Sequence, residues 1–263
     1  MIKYIPLNKS IFFSLALILI LLSCKASPHN SAIKDSLPHP AYKLIWNDEF
    51  NGKALDKKKW GLLVKGKRGD AFHTLSAVHA DGKGNIVIKA SISNDTVTTA
   101  IIHTQKIFET LYGYFECRAK LPAVNGAWPA FWLQSTHNGN GGTPEKNGVE
   151  IDIFEYFHHI QKDKVLHTLH WSGYGSEHKV VGPVYSDLKK TKDGFHTFGL
   201  EWTPDYYATY VDGVKTNEST AYISRMPEFL LLSVEVDKKV AGPLDTKKLP
   251  ALFIIDYVRV YKK

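Results

Sequence analysis

The sequence has 263 residues, of which 44% are hydrophobic and 12% aromatic, and its formal net charge is +7. A chain of this length can bury a sizeable core and lies within the range of one large all-β domain. Its two cysteines exclude a disulfide framework. Its basic residues are scattered along the chain, so no nucleic-acid partner is expected.

The first 23 residues have the pattern of a secretory signal peptide. Lys3 and Lys9 precede an apolar stretch over residues 11–22 that is interrupted by Ser14 alone, and this stretch is too short for a membrane span of about 20 residues. Residues 21–24, at the end of this stretch, read LLSC and resemble the lipobox of bacterial lipoproteins, in which the cysteine carries the lipid. We expect lipidation at Cys24 and anchoring in the bacterial outer membrane, on its cell-surface or its periplasmic face. The alternative is an ordinary signal peptide followed by a chance cysteine.

Removal of the signal would lower the formal charge to +5, because it contains two lysines and no acid. Residues 24–40 are polar and contain prolines, which predicts a flexible tether. Residues 41–263 then form one domain. In that domain Cys117 is expected to be a small buried hydrophobe.

Ten strand-like segments succeed one another in this domain, separated by turn signals such as Asp-Gly. They cover residues 85–92, 97–103, 112–120, 130–133, 149–157, 165–171, 196–202, 208–211, 229–236 and 253–261. No long amphipathic helical period interrupts them. The pattern predicts an all-β fold, and the number of strands favours a sandwich over a small barrel.

Two tryptophans, one just before the fourth segment and one within it, are candidates for sugar binding. Side chains alternate along a strand, so Trp128, Ala130 and Trp132 share one face. Sugar rings stack on such aromatic platforms through their C–H faces. The alternative is that either indole belongs to the core, as most tryptophans in β-sandwiches do, and the Gly126-Ala127 entry favours Trp128 as the exposed one.

The fifth segment carries three carboxylates in the motif EIDIFE. Glu150 and Asp152 share one face, whereas Glu155 would point the other way unless a β-bulge adds one residue at Ile153 or Phe154. With that bulge the three acids face one cleft, and two glutamates converging to about 5 Å would suit a retaining glycosidase. The alternative is a charged strand edge exposed to solvent. The apolar surroundings and the repulsion among three like charges favour a site of chemistry.

The sixth segment, residues 165–171, follows the acidic segment in the chain. Alternation places Thr168 and His170 on one of its faces and His167 and Trp171 on the other. His170 and Trp171 are further candidates for substrate binding. The alternative for His170 is an ordinary hydrogen-bonded histidine of a strand.

Together these motifs resemble glycoside hydrolase family 16 over residues 44–261. The resemblance rests on LIWNDEF (44–50), YGYFECRAKLP (112–122), AWPAFWL (127–133), EIDIFE (150–155), FHTFGLEW (195–202) and DYVRVY (256–261). It implies a jelly-roll sandwich of two curved antiparallel sheets, as in concanavalin-like lectins, with a glycan cleft on the concave face.

The resemblance also implies roles for the acids. Glu150 would be the nucleophile and Glu155 the general acid and base, while Asp152 would position Glu150 and help to keep Glu155 protonated. No cofactor is expected for catalysis. A structural calcium is expected at Asp256 of the closing strand, since members of the family often bind one there. The expected partner is a polysaccharide or glycan, and the expected state is a monomer.

The sequence leaves the substrate open. TPEKNG (143–148) replaces the WPACG type common in laminarin-cleaving members, and the segment around Glu235 lacks the Asn and the Gly-Gly pair of many glucan-active ones. Cleavage of an internal β-1,3-glucan linkage and of a β-galactan or mucin-type O-glycan both remain candidates. Alternatives of another class are a lectin-like binding sandwich and a transglycosylase.

Overall fold

The computed structural model describes residues 40–263, so the predicted signal peptide, Cys24 and nearly all of the predicted tether lie outside the described residues. Nineteen strands lie in the described part. In chain order they are β1 (Lys43–Asp48), β2 (Gly61–Leu62), β3 (Gly66–Arg68), β4 (Ala71–His73), β5 (Val78–Ala80), β6 (Ile86–Ser93), β7 (Thr96–Thr99), β8 (Ile101–His103), β9 (Glu109–Thr110), β10 (Gly113–Lys120), β11 (Trp128–Gln134), β12 (Glu150–Glu155), β13 (Lys164–Trp171), β14 (Lys179–Asp187), β15 (His196–Trp202), β16 (Tyr207–Val211), β17 (Val214–Ser219), β18 (Glu228–Glu235) and β19 (Ala251–Lys262).

Helical structure in residues 40–263 is limited to four short pieces. They are the one-turn α-helix α1 (Pro144–Asn147) and the 3₁₀ turns Leu75–Ala77, Asn138–Asn140 and Thr246–Lys248. Over the same residues, no helix has the length and apolar character that crossing a membrane requires.

The strands form two sheets, which confirms the predicted all-β fold. The eleven-stranded sheet has the order β17-β16-β15-β10-β19-β6-β7-β4-β3, with β1 beside β19 and β5 beside β6. The eight-stranded sheet has the order β14-β13-β12-β11-β18-β8-β2, with β9 beside β18. All of these pairs are antiparallel except β4 with β7. The segment 97–103, predicted as one strand, is two strands that lie in different sheets and meet at the buried Ala100.

The main core lies where the inward side chains of the two sheets meet. Phe154 of the eight-stranded sheet and Phe198 of the eleven-stranded sheet have ring centroids 4.0 Å apart, and both are fully buried. Burial of one such ring stabilises the fold by about 1.5–3 kcal/mol. Cys117 is a buried free thiol in the same core, as predicted.

Candidate active site

A bulge in β12 determines where its acidic side chains point. Opposite β13, Asp152 pairs with Thr168 and Glu155 pairs with Leu166, so three steps along β12 match two steps along β13. Opposite β11, Phe154 and Asp152 pair with consecutive residues, which leaves Ile153 as the extra one. The predicted bulge is therefore present, and Ile153 and Phe154 are both fully buried in the core.

The bulge brings all three acids of β12 to one cleft on the eight-stranded sheet. The cleft has a volume of about 760 Å³. Four carboxylates line it together with aromatic and imidazole side chains: Glu150, Asp152, Glu155, Glu235, Trp128, Trp132, Phe157, His170, Tyr174 and His178. Apolar residues complete its rim, among them Leu63, Val180, Pro183 and Val240. A partly apolar cleft with converging polar groups is the usual form of a ligand site.

Glu150 accepts two hydrogen bonds on the same oxygen. Gln134 Nε2 donates to Glu150 Oε2 over 2.8 Å, and the Tyr174 hydroxyl donates to that oxygen as well. Burial raises the pKa of Glu150 from 4.5 to about 7, and the hydrogen bond from Tyr174 opposes this rise because it favours the ionised form. Glu150 is thus held in one orientation with a pKa near neutrality.

Asp152 lies between the two glutamates and is almost fully buried. Its Oδ2 has no hydrogen-bond partner within the described chain, and His170 Nε2 lies 3.4 Å from it. His170 Nδ1 is in turn 2.9 Å from His178 Nε2, and the two rings stack. Burial, followed by the charge of Glu150, raises the pKa of Asp152 well above its ordinary value. A buried unpaired oxygen at the floor of an open cleft is suited to contact a bound ligand.

Glu155 is held by donors from the two neighbouring strands. Trp128 Nε1 donates to Glu155 Oε1 over 2.8 Å, and Thr168 Oγ1 donates to Oε2 over 3.4 Å. Burial, together with the charge of Asp152, raises the pKa of Glu155 from 4.5 to about 8. A carboxyl group with this pKa is largely protonated at neutral pH and can donate a proton.

The structure separates the predicted aromatic contacts into two groups. Trp128 and Trp132 both line the cleft, and Trp128 is the more exposed of the two. The prediction of Trp171 as a substrate-binding residue is wrong. It follows His170 in β13, so alternation turns its ring into the main core, and the ring also stacks on the exposed Tyr222 at 4.1 Å.

Sequence reasoning missed several residues of the cleft. Gln134 follows Trp132 by two positions, and Glu235 follows Ser233 in the same way, so alternation alone could have placed both. Tyr174 and His178 lie on the segment between β13 and β14, and Arg68 ends the short strand β3. Nothing in the local pattern places these three beside the acids, because tertiary packing brings them there.

Within residues 40–263, one cluster of side chains could hold a cation, and the predicted calcium ligand Asp256 lies elsewhere. Oxygen atoms of Glu150 and Asp152 and a ring nitrogen of His170 lie within 4.8 Å of one another, but Glu150 is already engaged by Gln134 and Tyr174. The predicted calcium ligand Asp256 accepts a hydrogen bond of 2.5 Å from Arg118 Nη1. A guanidinium in contact with the carboxylate repels a second cation, so these residues do not fit a calcium site well.

Comparison with known proteins gives a consistent result. Residues 67–246 match the family model described as glycosyl hydrolases family 16. A β-glucanase of Rhodothermus marinus is 27% identical over 94% of this chain and 93% of its own length. The laminarinase catalytic domain of Thermotoga maritima is 29% identical, with a TM-score of 0.72 over 84% of this chain and 98% of that domain. A structure described under endo-acting O-glycanases of the human gut microbiota is 26% identical, with a TM-score of 0.71 over 87% of this chain and 93% of its own.

Proposed function

We propose a retaining double-displacement mechanism for this chain, which belongs to the glycosyl hydrolases of family 16. Membership and the relatives make it an endo-acting glycosidase that hydrolyses O-glycosyl bonds. This sets aside the lectin-like alternative. The observation that carries the mechanism is the bulge at Ile153, which directs Glu150 and Glu155 from one strand into one cleft.

Glu150 is the proposed nucleophile. One of its carboxylate oxygens attacks the anomeric carbon, and the bond from that carbon to the glycosidic oxygen breaks. The covalent product is a glycosyl ester of Glu150. Gln134 and Tyr174 restrict the rotation of the carboxylate, which lowers the entropic cost of reaching the attack geometry.

Glu155 is the proposed general acid and base. In the first step it transfers its proton to the departing glycosidic oxygen, for which a pKa of about 8 is suitable. In the second step the ionised Glu155 removes a proton from water, which attacks the anomeric carbon and releases Glu150. Two inversions at that carbon give net retention, and Glu155 regains its proton.

Asp152, which lies between them, is proposed to act on Glu155 through its charge. Three acids in one buried cluster cannot all ionise without mutual repulsion, so ionisation of one raises the pKa of its neighbours. Asp152 thereby helps Glu155 to keep its proton until the leaving group requires it.

The proposed substrate is a polysaccharide with internal β-linkages, and β-glucan is the first candidate because two of the relatives are named as a β-glucanase and a laminarinase. A mucin-type O-glycan or β-galactan is the second candidate. It is favoured by the segment around Glu235, which lacks the Asn and the Gly-Gly pair of many glucan-active members, and by the similarity to the O-glycanase structure.

A digestion panel tests this proposal. Laminarin, lichenan, agar-type galactan, keratan and mucin O-glycans would be incubated with the wild type, and the products sized. We expect internal cleavage of at least one, and a loss of about 10³-fold or more in kcat for Glu150→Gln. Glu145→Gln on α1, which lies outside the cleft, is the matched control. Full activity of Glu150→Gln on every cleaved substrate would contradict the proposal.

The same digestion separates hydrolysis from transglycosylation. In the second step a sugar hydroxyl can replace water, and product masses would then show chains longer than the substrate. We expect hydrolytic products to predominate. NMR of the first product should show the β-anomer before mutarotation, and an α-anomer would contradict retention.

Lipid anchoring in the outer membrane is a separate proposal that rests on the LLSC sequence alone. Cells expressing the full chain would be labelled with a radioactive fatty acid and fractionated. Incorporation that is lost in Cys24→Ser would support it, and an unlabelled, freely released wild type would contradict it. A monomer is likewise expected, and sedimentation of the mature chain checks this.

A further inference from the structure

An arginine that the proposed mechanism does not use lies in the cleft. Arg68 is the last residue of β3, whose hairpin with β4 belongs to the far end of the eleven-stranded sheet. The cleft itself is built on the eight-stranded sheet. Arg68 nevertheless lines the cleft together with the catalytic acids. The β3–β4 hairpin therefore forms one wall of the cleft, although it does not belong to the sheet that contains β12.

The turn of this hairpin is fastened to the chain just after β18. The Asp70 N–H donates to the Val236 carbonyl over 2.7 Å, and the Lys238 N–H donates to Asp70 Oδ2 over 2.8 Å. Gly69 has φ +56°, and a Cβ there would lie 2.6 Å from the Val236 carbonyl oxygen. Glycine therefore permits this close approach, and the hairpin is held against the segment after β18 by one backbone–backbone and one backbone–side-chain hydrogen bond.

The guanidinium of Arg68 is held in one orientation by Glu235. Arg68 Nε donates to Glu235 Oε2 over 2.6 Å and Nη2 donates to Oε1 over 3.2 Å, a two-point contact that fixes the plane of the group. The Glu235 side chain is 11% exposed, whereas that of Arg68 is 45% exposed. Within the described residues the remaining N–H groups of Arg68 have no side-chain acceptor, so they are available to a ligand in the cleft.

The charge of the cleft limits what that ligand can be. Among the residues 40–263 that line the cleft, Arg68 is the one guanidinium, no lysine is present, and there are four carboxyl groups and two histidines. Glu235 already compensates the charge of Arg68. A sulfated or carboxylated sugar would therefore meet carboxyl groups and no uncompensated Lys or Arg among the described residues of the cleft, although the chain as a whole is basic.

We infer that Arg68, oriented by Glu235, is a specificity-determining residue that donates hydrogen bonds to the hydroxyls of an uncharged sugar, and that the cleft selects neutral over anionic glycans. This rests on the proposed function. Arg68 contributes to binding of the glycan and takes no part in bond breaking.

Steady-state kinetics with matched neutral and anionic substrates test the inference. One pair is laminarin and chemically sulfated laminarin, and the other is desulfated keratan and keratan sulfate. The pair used is the one whose neutral member the wild type cleaves. We expect the wild type to have at least tenfold higher kcat/KM for the neutral member. Higher kcat/KM for the sulfated member would overturn the inference.

Variants of Arg68 and Glu235 provide a second test of the inference. Arg68→Met leaves Glu235 buried without its partner, so the double variant Arg68→Met/Glu235→Leu is made beside it to protect folding. For both we expect KM on the neutral glycan to rise roughly 3- to 10-fold, the worth of one or two hydrogen bonds, with kcat changed less than about threefold. Arg68→Lys should not restore KM, because an ammonium cannot make the two-point contact.

The controls distinguish this inference from the proposed function. Arg118→Met removes an ion-paired arginine that lies outside the cleft, and it should leave KM unchanged. Glu235→Gln should narrow the preference for the neutral member, since it removes one negative charge. If KM is unchanged in a folded double variant and Glu150→Gln still abolishes cleavage, the inference is overturned and the proposed function stands. Activity in Glu150→Gln would overturn the proposed function itself.

Discussion

Tyr174 is the residue whose removal reports most cleanly on Glu150. Its hydroxyl donates to the carboxylate and stabilises the ionised form. In Tyr174→Phe we expect the pKa of Glu150 to rise, the acidic limb of the kcat/KM profile to move to higher pH, and kcat/KM at pH 7 to fall roughly 3- to 30-fold. Tyr222→Phe, which lies outside the cleft, is the control. An acidic limb that stayed in place would show that Tyr174 does not support Glu150.

The pH dependence of the wild type follows from two carboxyl groups with different requirements. Glu150 must be ionised and has a pKa raised to about 7, while Glu155 must be protonated and has a pKa raised to about 8. Activity should therefore rise as pH approaches 7 and fall above about 8. This bell-shaped profile reports Glu150 and Glu155 as a coupled pair. Measurement of kcat/KM from pH 4 to 10 checks this. Full activity at pH 4.5 would contradict it.

Several residues of the site follow from the sequence, because a strand imposes alternation. The faces of Trp128, Trp132 and His170 were predictable, and the same rule assigns Trp171 to the core. Arg68, Tyr174 and His178 were not predictable. They lie on a short hairpin and on a connecting segment, whose approach to the cleft depends on packing between distant parts of the chain.

At the scale of the strand, the bulge makes a prediction about deletions. Removing Ile153 would place Phe154 inward and Glu155 toward the cleft in regular alternation with Glu150 and Asp152. We expect this variant to keep detectable activity despite a stability loss of about 2–5 kcal/mol from the lost core side chain. Removing both Ile153 and Phe154 would turn Glu155 inward and abolish activity. Activity is measured on protein shown to be folded by circular dichroism, and an active double deletion would contradict the account.

Two of the strands that sequence analysis missed, β14 and β17, share a physical cause. β14 and β17 are the outer strands of their sheets, and most of their side chains are exposed, so they lack the apolar alternation on which the prediction depends. The central strands β10, β11, β12, β18 and β19 are largely buried and were all predicted, apart from their exact bounds.

For the whole molecule, buried acids should make stability depend on pH. Glu228, the first residue of β18, is fully buried, accepts the Val149 N–H over 3.1 Å, and has an Oε2 without a partner in the described chain. Burial raises its pKa from 4.5 to about 8. The folded state then binds more protons than the unfolded state between these values, so stability is full below about pH 4.5 and falls as pH rises toward 8.

Glu228→Gln tests this relation. The amide keeps an oxygen for Val149 and cannot ionise, so the variant should lose less stability between pH 5 and 8.5 than the wild type. The difference should be on the order of 3–4 kcal/mol at the upper end, because each pKa unit corresponds to about 1.4 kcal/mol. Thermal unfolding across that range measures it, with the exposed Glu145→Gln as control. Parallel curves for variant and wild type would contradict the role of Glu228.

The overall architecture was more predictable than the substrate. Repeated apolar alternation and turn signals determine a two-sheet sandwich, because only another sheet can cover so many half-apolar strands. The preference among glycans depends on side chains such as Arg68 and Glu235, which are 167 positions apart in sequence and meet through the fold.

The most direct measurement is the site of covalent labelling by a fluorinated substrate analogue that slows the second displacement. The enzyme would be trapped, digested with a protease, and its peptides analysed by mass spectrometry. The account predicts a glycosyl group attached to Glu150 and no labelling of Glu150→Gln. A label on Glu155 or Asp152, or rapid turnover with no covalent species under any condition, would contradict it.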